Sequence, residues 1–202
     1  MLPAIPRDLH DVVLREAWKT TWRGKKFLMD QDNDWGILIS VTSGNLKAVI
    51  ECQLIYLDAT FRSTPAPYAQ MFTIIGNYKR LVIPFVVALM SNRTIGNYRQ
   101  ILWRVKRSCV RKTGHQWKPD HIVLDFDLAL IAAVDTELPE AQMESCYFHF
   151  NQSLWRHIQK LGFVNRYQHD DLLKQLIGKV MALGLLASSI SPSQLSIAQK
   201  PR

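Results

Sequence analysis

The stretch Leu54-Ile55-Tyr56-Leu57-Asp58-Ala59-Thr60-Phe61 decides how the rest of the chain reads. It is an apolar run, rich in β-branched and aromatic residues, interrupted by a single acid. Runs of this composition form strands, and an ionised carboxylate inside one is costly to bury without a partner. Either the strand ends at Asp58 and the carboxylate faces water, or a cation compensates it. The pattern recurs 67 residues further on, where His121-Ile122-Val123-Leu124 runs directly into Asp125.

Two strands follow the first, Met71 to Gly76 and Val82 to Leu89, separated by the hairpin-length turn Asn77-Tyr78-Lys79-Arg80. The spacing of Tyr98, Ile101, Leu102, Val105 and Cys109 predicts a helix from Thr94 to Val110. After Gly114 and Pro119 come the strand His121 to Leu124 and a helix from Leu128 to Leu138, stopped by Pro139. Glu144-Ser145-Cys146-Tyr147-Phe148-His149-Phe150 reads as a fifth strand. Phe150, Leu154, Trp155, Ile158 and Leu161 then stripe a helix that ends at Gly162. Asp170 and Asp171 suit the positive N-terminal end of a last helix over 170–186. Ahead of the opening run, Phe27 to Asp30 and Trp35 to Ser40 read as a strand pair. Ser43 caps a short helix through Ile50, and Asp8 or Asp11 caps another through Trp18. The tail from Ser188 is rich in Ser and Pro.

Three consecutive strands, helix, strand, helix, strand and then helices only is an α/β pattern. It is the element order of the ribonuclease H-like fold, a mixed sheet with flanking helices in which the fourth strand lies parallel to the first and beside it. Parallel neighbours need a crossover, which the Thr94 to Val110 helix supplies. On that arrangement Asp58 and Asp125 occupy neighbouring points on adjacent strands. Two such carboxylates can bind Mg²⁺ or Mn²⁺ through hard oxygen ligands. Such ions activate a water or a 3′-hydroxyl in phosphodiester chemistry. The plainer alternative is that Asp125 or Asp127 caps the helix starting near Leu128. Both hold at once if Asp125 is the ligand and Asp127 the cap.

The chain has 202 residues, 48% of them hydrophobic, which is one domain's worth with a sizeable core. Its formal charge of +8 favours a polyanionic partner, or simply a solvated basic surface. Between Arg93 and Lys118 lie Arg93, Arg99, Arg104, Lys106, Arg107, Arg111, Lys112 and Lys118, with no acid among them. Arg104, Arg107 and Arg111 share one helical face away from the apolar stripe. That face would track phosphates with salt-dependent, largely sequence-blind affinity, unless it is merely solvated. Cys52, Cys109 and Cys146 form no paired pattern, which points to a reducing compartment. No signal-type apolar core opens the chain, and the apolar stretch Leu81 to Met90 is too short to cross a bilayer, so a soluble intracellular protein with no membrane partner is expected. Cys146 and His149 have a Cys-x-x-His spacing, but a zinc site normally needs two further ligands. In a strand, moreover, positions three apart face opposite ways. Spacing alone reads as a core Cys and a hydrogen-bonded His, with no zinc site evident.

Taken in order, these segments resemble the Mutator-like element (MULE) transposase domain. Leu57-Asp58-Ala59-Thr60-Phe61-Arg62 is similar to the family's Asp-(Gly/Ala)-Thr-Phe opening, and Pro67 to Ile74 to its Tyr-x-Gln segment. Pro84 to Met90 and Thr94 to Tyr98 resemble its proline-started strand and the helix that follows. Leu124-Asp125-Phe126-Asp127-Leu128-Ala129 is similar to its Thr-Asp-Phe-Glu-x-Ala, and Cys146 to Phe150, with Gln152, Trp155 and Arg156, to its Cys-x-x-His motif. The resemblance implies a DDE-type active site, with two Asp and one Glu holding Mg²⁺ or Mn²⁺ for DNA cleavage and strand transfer. Asp58 matches the first acid, Asp125 the second, and Cys146 with His149 the Cys/His motif. The third acid, a Glu beyond a helical insertion, has no counterpart here: the last Glu is Glu144, and only Asp170 and Asp171 follow it.

The expected organisation is a flanking segment over 1–50, the ribonuclease H-like core over 51–162, and the start of the helical insertion with a truncated tail over 163–202. DNA is the implied partner and the nucleus the implied location, while homo-oligomerisation stays open. With two of three acids, the chain is expected to bind metal weakly and turn over little, as a fragment, a decayed element or a domesticated derivative. The alternative from another class is a non-catalytic DNA- or protein-binding module.

Overall fold

The computed structural model describes residues 6–186. Within them the strands are β1 (Leu28–Asp32), β2 (Ile37–Ser40), β3 (Leu54–Thr60), β4 (Gln70–Tyr78), β5 (Leu81–Met90), β6 (His121–Leu124) and β7 (Gln142–Ser145). The helices are α1 (Glu16–Lys19), α2 (Ser43–Ile50), α3 (Ile95–Thr113), α4 (Leu128–Glu137), α5 (Tyr147–Lys160), α6 (Val164–His169) and α7 (Asp171–Leu186). The strands form one mixed sheet in the order β1-β2-β5-β4-β3-β6-β7. The chain divides into two compact units, Met1–Ile122 with Asp127–Ala141, and Val123–Phe126 with Gln142–Arg202.

The first unit is built on the antiparallel meander β3-β4-β5. Leu57 is in register with Ile74 and Ile74 with Val86, while Phe72 is in register with Ala88. Directly opposed residues of antiparallel strands point the same way, so these side chains, with Ile55, make one apolar face on which each is at most 2% exposed. Gly76 completes it, because a Cβ there would lie 2.6 Å from the Phe85 ring. Helix α3 covers this face, with the Tyr98 ring meeting Phe72 edge-on at 5.4 Å. Its predicted stripe of Tyr98, Ile101, Leu102, Val105 and Cys109 is completely buried. At about 1.5–3 kcal/mol for each large apolar side chain, that stripe fixes the rotation of the helix. Thr94 caps its start by accepting from the Asn97 amide, and Gly114, at φ 76°, closes its end.

Strands β2 and β1 extend the sheet beyond β5. Arg104 ties α3 to this edge: its guanidinium is 2.5 Å from Asp30 and 2.6 Å from Asp32. On the other side, β6 starts beside β3, where the Asp120 and His121 amides both donate to Gln53 O at 2.9 Å. Helix α4 then buries Leu130, Ala133 and Val134.

In the second unit the Cys146 amide donates to Leu124 O at 2.8 Å. Helices α5 and α7 pack closely at Gly184, where a Cβ would lie 2.5 Å from the Phe150 ring. Trp155 and Tyr167 meet edge-on at 5.0 Å, and Asp170 caps α7 by accepting from the Leu173 amide at 3.0 Å.

Three expectations are corrected. The fifth strand ends at Ser145, and Tyr147 to Phe150 form the first turn of α5. Their alternating aromatics suit a strand, but Tyr147 and Phe150 share one helical side and both approach Gly184, and that packing wins. Thr42, not Ser43, caps α2, accepting from the Asn45 amide at 3.1 Å. Neither Asp8 nor Asp11 caps a helix through Trp18, since α1 is a four-residue turn that begins at Glu16 with no side-chain cap. Helix α6 was not predicted. The Ser- and Pro-rich tail lies outside the described residues.

Replacing Arg104 with Ala strands two carboxylates that its guanidinium now bridges. Charged hydrogen bonds contribute about 1.5–3 kcal/mol each, discounted here because both acids are partly exposed. A loss of about 1–3 kcal/mol is expected from the shift in the urea unfolding midpoint.

Candidate functional site

Asp58 does not end its strand, because β3 continues to Thr60. Strand alternation places it on the face opposite Ile55 and Leu57, half-buried. Its register partner is Thr73, whose hydroxyl donates to Asp58 O at 3.2 Å. The acid thus sits among half-open neighbours, with the apolar core on the other side of the strand.

Beyond β3 the structure assembles a polar cluster around Asp127. Its Oδ1 accepts from the Ala129 amide at 2.9 Å and so caps α4, the role weighed for this acid. Its Oδ2 accepts from Arg93 at 3.0 Å and from the Tyr98 hydroxyl at 2.9 Å. That hydroxyl accepts in turn from the amide of fully buried Gln70, at 2.9 Å. The Arg93 guanidinium also lies 4.8 Å over the ring of Phe61, three residues past Asp58. Burial works to raise the Asp127 pKa, but the hydrogen bonds from Arg93, Tyr98 and Ala129 outweigh it and hold the carboxyl below its ordinary range. Burial also raises the Tyr98 phenol well above its usual value, so Tyr98 stays a hydrogen-bond donor. The roles of Gln70, Arg93 and Tyr98 escaped the sequence reading. The one available signal was a Gln in an otherwise apolar strand.

Asp125, Cys146 and His149 all belong to the second unit. Asp125 directly follows β6. Cys146 is the N-cap residue of α5 and makes no side-chain cap bond, while His149 lies in the first turn. The strand argument that set these two on opposite faces therefore fails, since residues three apart at a helix start share a side. Among the described residues no group of three or more His, Cys, Asp or Glu side chains could hold a metal ion. Burial pushes the Cys109 thiol up to about 12 and also raises that of Cys52, so both behave as core residues.

The three arginines of the predicted basic face differ in their surroundings. Arg104 is engaged by Asp30 and Asp32. Arg107 lies 5.2 Å over the half-exposed Trp103 ring. Arg111 is exposed at the rim of a cleft. Among the described residues no helix is long and apolar enough to cross a membrane.

Fold and site together define a mixed α/β domain with acids carried on and just after its strands. The family model for the MULE transposase domain matches residues 54–153, and that stretch belongs to the family. A comparison with curated proteins found no match.

Because the Asp127 pKa is lowered on folding, the stability it contributes is fully present above the unfolded value of about 4. It is lost as pH falls through the depressed folded value. Asp127→Asn is expected to cost about 1–3 kcal/mol near neutral pH. The gap to wild type, followed by urea unfolding, should stay flat from pH 8 to pH 5 and narrow below about pH 4. A gap independent of pH down to about pH 2 would show that the carboxylate charge contributes nothing.

Proposed function

We propose that this chain carries the ribonuclease H-like core of a Mutator-like DNA transposase, with Asp58 and Asp125 as two of its active-site acids. We further propose that the chain as it stands does not turn over. The observation that carries the reading is the family match, which begins at β3 and spans both acids. The strand order β5-β4-β3-β6-β7, with α3 following β5 and α4 following β6, supports the same fold. A net charge of +8 agrees with DNA as the partner, and the family resemblance implies a nuclear site of action.

The family's chemistry implies Mg²⁺ or Mn²⁺. Asp58 and Asp125 offer the hard oxygens such ions prefer. Two carboxylates do not fit a two-ion centre, however, and no larger set of ligand-type side chains occurs among the described residues. Two-ion catalysis needs enough negative ligand to hold both cations in place. Asp127 does not fill the gap, because its two oxygens already accept from Arg93, Tyr98 and Ala129. Weak cation binding and no strand transfer follow.

That shortfall of ligands favours a second reading, a domesticated module that binds DNA or protein without cutting. It predicts DNA retention indifferent to Asp58.

The test is incubation of supercoiled DNA with Mn²⁺ and either wild type or Asp58→Asn, alongside Mn²⁺ titration by water-proton relaxation. Wild type should bind Mn²⁺ weakly, Asp58→Asn more weakly still, and neither should nick above background. Nicking by wild type that the substitution abolishes would keep the site and overturn the inactivity. Nicking that survives it would overturn the role of Asp58.

A further inference from the structure

Carboxylates sort the basic residues of α3 and its flanks. Arg93, Arg99, Arg104, Lys106 and Lys118 all form ion pairs, with Asp127, Glu137, Asp30 and Asp32, Glu137, and Glu140 respectively. Among the described residues Arg107 forms none and lies over the Trp103 ring; Arg111 and Lys112 form none, and neither does Lys26. These three line one cleft of about 380 Å³ between β1, the start of α2 and the end of α3, and no carboxylate lines it. A concave surface carrying three unneutralised cations is suited to an oxyanion.

Two hydroxyls add to it. Ser43 is the first residue of α2, whose opening amides lack intrahelical acceptors and carry the positive end of the helix dipole. Ser108 is only 5% exposed and lines the same cleft, yet its hydroxyl makes no hydrogen bond within the described residues. A helix serine commonly bonds back to its own backbone, as Thr113 does to Cys109 O at 2.7 Å. The Ser108 hydroxyl is therefore available to a group in the cleft. Leu46, buried beside it, gives the cleft an apolar floor.

We infer that this cleft is a phosphate-binding site that takes the backbone of DNA, through Lys26, Arg111, Lys112 and the hydroxyls of Ser43 and Ser108. The identity of the occupant rests on the transposase reading above, while the phosphate chemistry rests on the cleft alone. Ser108 lies 14 residues along α3 from its Thr94 cap. At about 1.5 Å per residue the cleft is roughly 20 Å along the helix from that cap, or about six base-pair steps of duplex. It would therefore hold the duplex away from the polar cluster at the start of α3.

The test compares wild type, the triple variant Lys26→Gln/Arg111→Gln/Lys112→Gln, and a charge-matched comparator, Lys79→Gln/Arg80→Gln/Lys118→Gln. Affinity for a duplex is measured by fluorescence anisotropy across a salt series, and inorganic phosphate is titrated separately into wild type with amide shifts followed by NMR. The cleft variant should lose about 10-fold or more in affinity and flatten the slope of log K against log salt by about 1–3, while the comparator changes much less. Phosphate should move the amides of Ser43, Ser108 and Lys112. Equal losses in the two variants, or no phosphate shifts in the cleft, would overturn the site. If wild type fails to bind duplex while phosphate still shifts those amides, the cleft is a small-anion site and its assignment to DNA is overturned. Duplex binding by wild type that survives the cleft variant would leave DNA as the partner and overturn only this location.

Discussion

The carboxylate of Asp127 ties together elements that the chain brings from far apart. It caps α4, anchors Arg93 from the segment between β5 and α3, and takes the hydroxyl of Tyr98 from the first turn of α3. Through Tyr98 it is linked to Gln70 at the start of β4. The side-chain amide of Gln70 thus has a partner for its nitrogen, while its buried Oε1 has none among the described residues. Because a stranded polar group in a low-dielectric interior is expensive, losing the Tyr98 bond would add to that cost. Tyr98 belongs to both systems. Its ring lies in the apolar stripe against Phe72, and its hydroxyl lies in the polar chain. The rotation of α3 set by apolar burial is thus the rotation that delivers the hydroxyl to Asp127.

Electrostatics are divided along the same helix. At its start, Arg93 is held by Asp127, and in its middle Arg104 reaches back to Asp30 and Asp32 on β1. These cations are structural because each faces an acid brought in by another element. Beyond Lys106 that pairing stops: Arg107 lies over Trp103, and Arg111 and Lys112 leave positive charge where the helix dipole is negative. Some of the positive potential there is absorbed by the helix itself. What remains is concentrated in a concavity and not spread over a flat face, and concavity is what makes a potential useful for capturing an anion.

Much of this was legible in the sequence because it depends on local pattern. The α3 stripe carries a 3.6-residue repeat and is buried where that period puts it, while the β3-β4-β5 meander and the β6 to α4 passage are marked by apolar runs bounded by turn residues and acids. Tyr147 to Phe150 carried both periods at once, so only a long-range partner, Gly184, could decide between strand and helix. The β4-β5 hairpin is tighter than its sequence suggests. The turn is made by Lys79 and Arg80 at φ 52° and 67°, positions at which Asn or Gly would have announced a two-residue turn. Pairing of charges was not legible at all. Arg104 and Arg111 share a helical face and a residue type, and only the arrival of β1 beside one of them separates a structural cation from an available one.

The same reasoning separates the two acids of Asp125-Phe126-Asp127. From sequence, either could have been the helix cap, and Asp125 was the candidate ligand. Capping demands an acceptor one residue ahead of the helix, and Asp127 holds that position with a 2.9 Å bond to Ala129. A carboxylate that also accepts from a guanidinium and a phenol has its lone pairs directed at donors and its charge largely balanced. A divalent cation would have to displace those donors and sit against Arg93, a like charge, to use it. Asp127 is therefore excluded from the ligand role by its neighbours and not by its chemistry. Of the pair, Asp127 is the cap that shapes the start of α4, which leaves Asp125, two residues earlier, as the acid that the family resemblance would assign to a cation.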